Sequence, residues 1–292
     1  MYPRAISEAV NINGVWYQDY EVQDPATGAI SVKKFKHDGA KWVEASDLEF
    51  ESENYKVNIM KMIPDNQAGI NLKKNVVNLD KCIVNLSKSK GVSLTKHRAR
   101  VAVVLDYSYS MKHLYDSGAV QKAVSRLVPL GLRFDDNGEI EVWLFHDGQR
   151  AMDAMTLNNY DNYIKSVVKA SREDYGGTRY APVLEDIKRH YISEDPSDVP
   201  TFVIFITDGD NSDHAKTDNI VKELSNYNVF IQFVGIGHSS FNYLEKLDDL
   251  SGRRCDNTGF IKVSTFDSMD DTQLYNSLLE QYIDWLKVLG LN

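Results

Sequence analysis

Four apolar runs of strand length in the second two-thirds of the chain limit its fold more than any other feature. They span 99–105, 140–145, 201–206 and 229–236, and a shorter one follows at 260–263. The runs lack polar alternation, which is typical of strands covered on both faces of a sheet. Segments with helical spacing of apolar residues separate them, at 117–134, 160–170, 181–191, 218–227, 241–250 and 272–289. This alternation predicts an α/β fold with a doubly wound, mostly parallel sheet flanked by helices.

Residues 14–50 predict a small N-terminal β unit. Strand-like runs at 15–22 and 29–36 are separated by Pro-Ala-Thr-Gly, and Asp-Gly precedes a third short run at 41–43. Such turns between β-rich runs are hairpin signals. A meander of this size builds only a small core, so we expect it to pack on another element. Four aromatic residues are predicted to form its core rather than a ligand platform: Trp16, Tyr17, Tyr20 and Trp42.

The segment between the β unit and the first long apolar run is basic. Residues 54–100 hold ten Lys or Arg against Asp65 and Asp80. The charge fits a solvated connector, or a segment that docks on an acidic surface of this chain or of a partner. Pro, Asn and Gly punctuation predicts a linker over 63–75, and 76–87 fits either a helix or a strand. The predicted organisation is a β-rich unit at 1–53, a basic linker or edge segment at 54–98, and an α/β domain at 99–292.

Composition excludes several classes of protein. Hydrophobic residues make up 42% of the chain, which is enough for a sizeable core, and no run reaches the length of a membrane span. The N-terminal residues do not resemble a secretory signal, and Cys82 and Cys255 are the only cysteines. We therefore expect a cytoplasmic protein with reduced thiols and no membrane partner. The net charge of −9 and the lack of a zinc finger or RNP motif argue against a nucleic-acid partner.

Oxygen-bearing side chains follow the ends of two predicted strands. Asp106 ends the first run and begins Asp-Tyr-Ser-Tyr-Ser, while Thr207-Asp208-Gly209 ends the third. Gly176-Gly177-Thr178 forms a loop before a predicted helix. In doubly wound sheets, ligands bind at the carboxyl ends of the strands. Carboxylates and hydroxyls suit Mg²⁺, Mn²⁺ or Ca²⁺, and the lack of His or Cys in the set disfavours zinc.

Together these motifs resemble the von Willebrand factor A (vWA) domain over residues 99 to about 289. In that family the pattern D-x-S-x-S, a Thr in a second loop and T-D-G in a third form the metal-ion-dependent adhesion site. The resemblance implies a divalent cation, with Mg²⁺ favoured over Ca²⁺ and Mn²⁺. The implied ligands are Asp106, Ser108, Ser110, Thr178 and Asp208. Tyr109 is a departure, because Gly often stands between the two serines of the motif.

Two further segments, 114–145 and 275–292, are similar to the A domains of tellurium-resistance (Ter) and related stress-response proteins. That resemblance implies a cytoplasmic protein of a metal-linked stress or defence system. Five oxygen ligands leave one position on the cation, which an acidic side chain from a protein partner can fill. The expected function is cation-dependent protein binding without chemical turnover.

Two alternatives remain open at the level of sequence. A metal-dependent phosphohydrolase would also need a cation and strand-end carboxylates. It would further need a base or nucleophile, and no motif places His113 or His146 in that role. In the other alternative, the N-terminal β unit is the recognition module and the vWA domain is its scaffold.

Overall fold

The computed structural model describes residues 3–12, 14–265 and 268–291, apart from the side chains of residues 47–49 and 51–55. Within these residues the chain forms two separate β-sheets. The small sheet lies at the N-terminus, and the large one runs through the rest of the chain between two layers of helices.

The N-terminal sheet is antiparallel and centres on its longest strand. Its strands are β1 (Arg4–Ala5), β2 (Val10–Ile12), β3 (Val15–Gln23), β4 (Ile30–His37) and β5 (Trp42–Ala45). Strand β3 pairs with β1, β2 and β4, and β4 pairs with β5. Among the described side chains, the buried core of this sheet is small and consists of Ile12, Tyr17 and Ala45.

Of the four aromatic residues predicted to form this core, Tyr17 belongs to it, and the prediction is wrong for Trp16, Tyr20 and Trp42. Tyr17 is buried and Tyr20 and Trp42 are half-buried, but Trp16 is 48% exposed. Neighbouring side chains in a strand point to opposite faces, so Trp16 cannot share the face of Tyr17. The helix that follows the sheet packs on the face of Tyr17, where Phe50 contacts this ring.

Two helices occupy the basic segment, α1 (Asp47–Met62) and α2 (Gln67–Lys90). The prediction of a linker over 63–75 is therefore wrong from Gln67 onwards. Asn66 caps α2, since its side chain accepts a hydrogen bond from the backbone N–H of Gly69 at 2.7 Å. At Gly69 an added Cβ would lie 1.8 Å from the Pro64 carbonyl oxygen, so the corner between the helices requires glycine.

The large sheet follows the predicted pattern. Its strands are β6 (Arg100–Asp106), β7 (Ile140–Phe145), β8 (Gln149–Met155), β9 (Thr201–Thr207), β10 (Val229–Ile236) and β11 (Thr258–Val263). Their order is β11-β10-β9-β6-β7-β8, and all neighbours are parallel except β7 and β8. The predicted fold class is confirmed, with β8 as an antiparallel edge strand that the sequence analysis missed.

The remaining helices cover both faces of this sheet. They are α3 (Lys112–Asp116), α4 (Ala119–Phe134), α5 (Ala181–Lys188), α6 (His214–Leu224), α7 (Asn242–Asp248) and α8 (Asp271–Leu289). Helices α2, α4 and α8 contribute to the core on one face, and α5, α6 and α7 to the core on the other. The helix predicted at 160–170 is instead a turn followed by short π- and 3₁₀-helical segments, Ile164–Val168 and Lys169–Ser171.

Helix α2 belongs to the same layer as α4 and α8. Its buried side chains include Leu79 and Ile83, which join the core of the large sheet. At its C-terminal end, the Nζ of Lys90 lies 2.7 Å from a carboxylate oxygen of Asp284 and 3.5 Å from one of Glu280, both on α8. Part of the basic segment thus contacts acidic residues of its own chain. No helix in the described part of the chain is long and apolar enough to cross a membrane.

Candidate metal centre

Three loops meet at the carboxyl edge of the large sheet. They follow β6, precede α5 and follow β9. The first two loops are joined by backbone hydrogen bonds, from the Tyr109 N–H to the Gly176 carbonyl at 3.0 Å and from the Gly176 N–H to the Tyr107 carbonyl at 3.3 Å. Gly176 also lets this loop pass close to the turn after β7, because a Cβ at position 176 would lie 2.8 Å from the Asp147 carboxylate. The Gly-rich loop is therefore held directly beside the serine motif.

Four of the five predicted ligands form one continuous chain of polar contacts. The Ser108 N–H donates to Oδ1 of Asp106 at 2.8 Å. The hydroxyls of Ser108 and Ser110 lie 3.0 Å apart, and the Ser110 hydroxyl donates to Oδ1 of Asp208 at 2.8 Å. Residues 98 positions apart in sequence are thus in direct contact, because β6 and β9 are neighbours in the sheet.

Thr178, the fifth predicted ligand, lies on the adjoining loop without a direct bond to the other four. Its carbonyl accepts hydrogen bonds from the Ser212 N–H at 3.0 Å and the Ser212 hydroxyl at 3.2 Å. Among the hydrogen bonds found between described residues, none uses the Thr178 hydroxyl, and the residue is half-buried. This hydroxyl therefore remains available to an added ligand.

Of the two carboxylates of the cluster, Asp106 is fully buried and Asp208 is half-buried. Asp106 has no exposed surface, and burial is the main cause that raises its pKa to about 6, with the charge of Asp208 adding to the effect. Burial likewise raises the pKa of Asp208, against the opposing effects of the Ser110 hydroxyl and nearby His113. In the described part of the chain, neither carboxylate forms a salt bridge with Lys or Arg. A bound cation would supply the missing positive charge.

Two buried hydroxyl groups that the sequence analysis did not predict, those of Thr207 and Tyr180, lie in series behind Asp106. The Thr207 hydroxyl donates to Oδ2 of Asp106 at 2.6 Å. The Tyr180 hydroxyl lies 3.2 Å from the Thr207 hydroxyl and donates to the Gly209 carbonyl at 2.7 Å. The sequence offered one indication of these two residues, their position next to predicted ligands. Thr207 directly precedes Asp208, and Tyr180 lies two residues after Thr178.

Tyr109, the departure from the usual motif, points outward. It is 71% exposed, and its ring centroid lies 6.2 Å from that of Tyr175, which stacks on Tyr107 at 4.1 Å. Asp210, close to Asp208 in sequence, bonds His214 at 2.7 Å rather than the cluster. The outer rim of the candidate centre therefore presents an aromatic side chain to solvent.

The donor set fits a hard cation. It contains carboxylate and hydroxyl oxygens, which Mg²⁺ and Ca²⁺ prefer. The described residues hold no group of three or more His, Cys, Asp or Glu side chains arranged for a metal. Any cation bound at this edge would thus depend on the serine and threonine hydroxyls as well as the two carboxylates.

The sheet order and the two helical layers define a vWA fold. The chain belongs to the vWA-TerF-like family, described as the vWA found in the TerF C terminus, whose model matches residues 98–290. The protein YcbR of Bacillus subtilis strain 168, described as uncharacterized, is 38% identical over 196 residues, which cover 66% of this chain and 80% of YcbR.

Solved structures agree with this fold. Proximal thread matrix protein 1 from the mussel byssus matches with a TM-score of 0.50 and 19% identity over 64% of this chain. The match spans about half, 48%, of the mussel chain. A further structure of that mussel protein, with a zinc-occupied MIDAS motif, matches with a TM-score of 0.44, too low to support an inference about this chain's site.

Proposed function

We propose that this protein is a cation-dependent protein-binding module and not an enzyme. A divalent cation would be held at the carboxyl edge of the large sheet, and an acidic side chain from a protein partner would complete its coordination. The observation that carries the proposal is the unbroken series of contacts from Asp106 through Ser108 and Ser110 to Asp208, with Thr178 on the loop alongside.

The burial of these residues suggests a different role for each in binding the cation and the partner. Asp106 is fully buried, so it would fix the two serines and supply negative charge beneath the site. Ser110 and Asp208 lie nearer the surface, where the partner's carboxylate would arrive. A cation between them supplies the positive charge that lets two acidic surfaces meet. Magnesium is favoured by the hard oxygen donors, with Ca²⁺ and Mn²⁺ as alternatives.

Thermal unfolding with and without cations tests the site. We expect Mg²⁺, Mn²⁺ or Ca²⁺, added after chelation, to stabilise the wild type by about 2.7 kcal/mol at a hundredfold excess over its dissociation constant. Asp106→Ala should remove this response, because the variant lacks the carboxylate that anchors Ser108. Asp174→Ala, which removes an exposed carboxylate two residues before Gly176, is the matched control and should respond like the wild type. If none of these cations changes the stability of the wild type, the proposed site is refuted.

Partner binding requires a second test. Proteins retained by the immobilised wild type in Mg²⁺ should be released by chelator and should not be retained by Asp106→Ala. Turnover of a phosphoester by the wild type, lost in Asp106→Ala, would instead support the phosphohydrolase alternative.

Membership of the TerF-like family supports a place in a stress-response or defence system. This role predicts that a strain carrying Asp106→Ala is as sensitive to metal stress as a strain that lacks the gene.

The N-terminal sheet is a second candidate for recognition. Several of the large hydrophobic side chains that are exposed in the described chain lie in its first 32 residues: Ile6, Val10, Trp16, Ile30 and Val32. On the face opposite Tyr17, which Trp16 shares, the half-buried rings of Tyr20, Phe35 and Trp42 pack together. Exposed apolar patches of this kind mark interaction sites.

Full-length variants separate the two candidates. If the sheet is the recognition surface, partner retention should persist in chelator and in Asp106→Ala, and should be lost in Trp16→Ser. If the cation site carries binding, the opposite pattern is expected. Val288→Ser, at an exposed position on α8, is the matched control for loss of surface apolar area and should leave retention unchanged in either case.

A further inference from the structure

We propose that Tyr180 is a positioning residue of the candidate cation site, acting through Thr207 to hold the Asp106 carboxylate. This inference rests on the function proposed above. Tyr180 touches none of the five candidate ligands through the hydrogen bonds of its hydroxyl, and it would not contact the cation itself.

The geometry leaves Asp106 with both oxygens engaged. Oδ1 accepts the Ser108 N–H at 2.8 Å, and Oδ2 accepts the Thr207 hydroxyl at 2.6 Å. The Thr207 hydroxyl has one proton, and donating it to Asp106 leaves its lone pairs as acceptors. They face the Tyr180 hydroxyl at 3.2 Å and the Gly209 N–H at 3.4 Å, and the single Tyr180 proton is shared between the Thr207 oxygen and the nearer Gly209 carbonyl. The Tyr180 hydroxyl therefore favours the orientation of Thr207 in which the carboxylate is held.

The same tyrosine hydroxyl also restrains the loop after β9. It lies 2.7 Å from the carbonyl oxygen of Gly209, which directly follows the candidate ligand Asp208. Tyr180 itself stands at the start of α5, two residues after Thr178. The Tyr180 side chain thus connects the elements that carry Asp106, Thr178 and Asp208. We expect its loss to make the positions of these three candidate ligands relative to one another less well defined.

Packing makes the hydroxyl separable from the ring. Tyr180 is fully buried, and its ring packs edge-to-face on Phe145 and Phe205 at centroid distances of 5.5 and 4.9 Å. These contacts remain in Tyr180→Phe, which removes only the oxygen. The chain also offers a matched control in Tyr191, a second fully buried tyrosine whose hydroxyl bonds Glu141 rather than the cluster.

The decisive measurement is the affinity for Mg²⁺ and Mn²⁺ by titration calorimetry, with unfolding in chelator measured on the same samples. Outer residues that orient metal ligands typically change affinity by about 10–100-fold when they are removed. We expect Tyr180→Phe to bind each cation at least about tenfold more weakly. Tyr191→Phe should lose comparable stability in chelator yet bind cations like the wild type.

Substitutions at Thr207 test the relay and keep the proposal falsifiable if Tyr180→Phe folds poorly. Thr207→Ser retains the hydroxyl and should bind cations nearly as well as the wild type, whereas Thr207→Val should bind weakly. Adding Tyr180→Phe to Thr207→Val should cause a smaller loss than Tyr180→Phe causes alone, because the contact with Thr207 is already broken and only the contact with the Gly209 carbonyl is left to lose. Full additivity in that double variant would show that Tyr180 acts independently of Thr207.

The outcomes distinguish this inference from the proposal on which it rests. If the wild type binds no cation, the proposed function fails and the positioning role fails with it. If the wild type binds and Tyr180→Phe binds equally well, only the positioning role is overturned. Weaker binding in Tyr180→Phe and Thr207→Val, with normal binding in Tyr191→Phe and Thr207→Ser, supports it.

Discussion

His97 is a buried titratable group outside the candidate site. Its Nε2 lies 2.8 Å from the Tyr282 hydroxyl, and its ring packs edge-to-face against Phe134. Burial, with a smaller effect from the charge of Arg133, lowers its pKa from 6.5 to about 4. The folded protein therefore binds this proton less readily than the unfolded chain does.

The sign of that shift predicts acid destabilisation. The contribution of neutral His97 is fully present above pH 6.5 and is lost as the pH falls towards 4, up to about 3 kcal/mol. Denaturant unfolding between pH 7 and 4 should show the stability difference between the wild type and His97→Gln changing by that amount. Asp135 and Asp248, whose raised pKa values act in the opposite direction, are present in both proteins and cancel.

A constant difference across this pH range would show that His97 titrates normally. His238→Gln, at an exposed position, is the control and should follow the wild type at every pH. The strand-end rule and the resemblance to the vWA motif together predicted that Asp106, Ser108, Ser110 and Asp208 are neighbours, because all four lie at or shortly after the ends of two strands. Tyr180 could not be found in this way, since its role depends on where the start of α5 lies relative to β9.

At the scale of single elements, the strands were predictable in proportion to their burial. Strands β7 and β10 begin and end where their apolar runs do. Strand β8, with the sequence Gln-Arg-Ala-Met-Asp-Ala-Met, lies at an exposed edge and carries too little apolar periodicity to be recognised. Helix α2 was obscured by Pro64 and Gly69, which form a tight corner rather than a flexible connection.

The packing of α2 predicts that it is integral to the domain. Ile83 is fully buried in the core of the large sheet, so Ile83→Ala should reduce the free energy of unfolding by about 2–5 kcal/mol. Lys81→Ala, at an exposed position on the same helix, should change it by less than about 0.5 kcal/mol. Denaturant unfolding measures both, and an unchanged midpoint for Ile83→Ala would mean that α2 is dispensable.

The molecule as a whole is divided between a large core and a small one. The large sheet is covered by helices on both faces, whereas the core of the N-terminal sheet contains three buried apolar residues among the side chains that the structure describes. Stability is correspondingly uneven, because regions with few buried contacts open at lower free energy than the global transition.

Hydrogen exchange measured by mass spectrometry should resolve this difference. We expect peptides from β3, β4 and β5 to exchange much sooner than peptides from β6, β9 and β10, which lie in the interior of the large sheet. The addition of Mg²⁺ should slow exchange in the loops around Asp106 and Asp208 and leave the N-terminal sheet unaffected. Equal protection in the two sheets would show that they unfold as one unit.

The pairing of β6 with β9, a strand much later in sequence, also affects the order in which parts of the cluster can form during folding. Asp106 and its support Thr207 are 101 residues apart, so a chain still emerging from the ribosome holds half of the cluster long before the other half exists. Contacts so distant in sequence carry a large loop-closure entropy, so we expect this one to form late in folding. A bound cation should accordingly lengthen the lifetime of the folded protein without hastening refolding, and stopped-flow measurements of both rates would reveal this asymmetry.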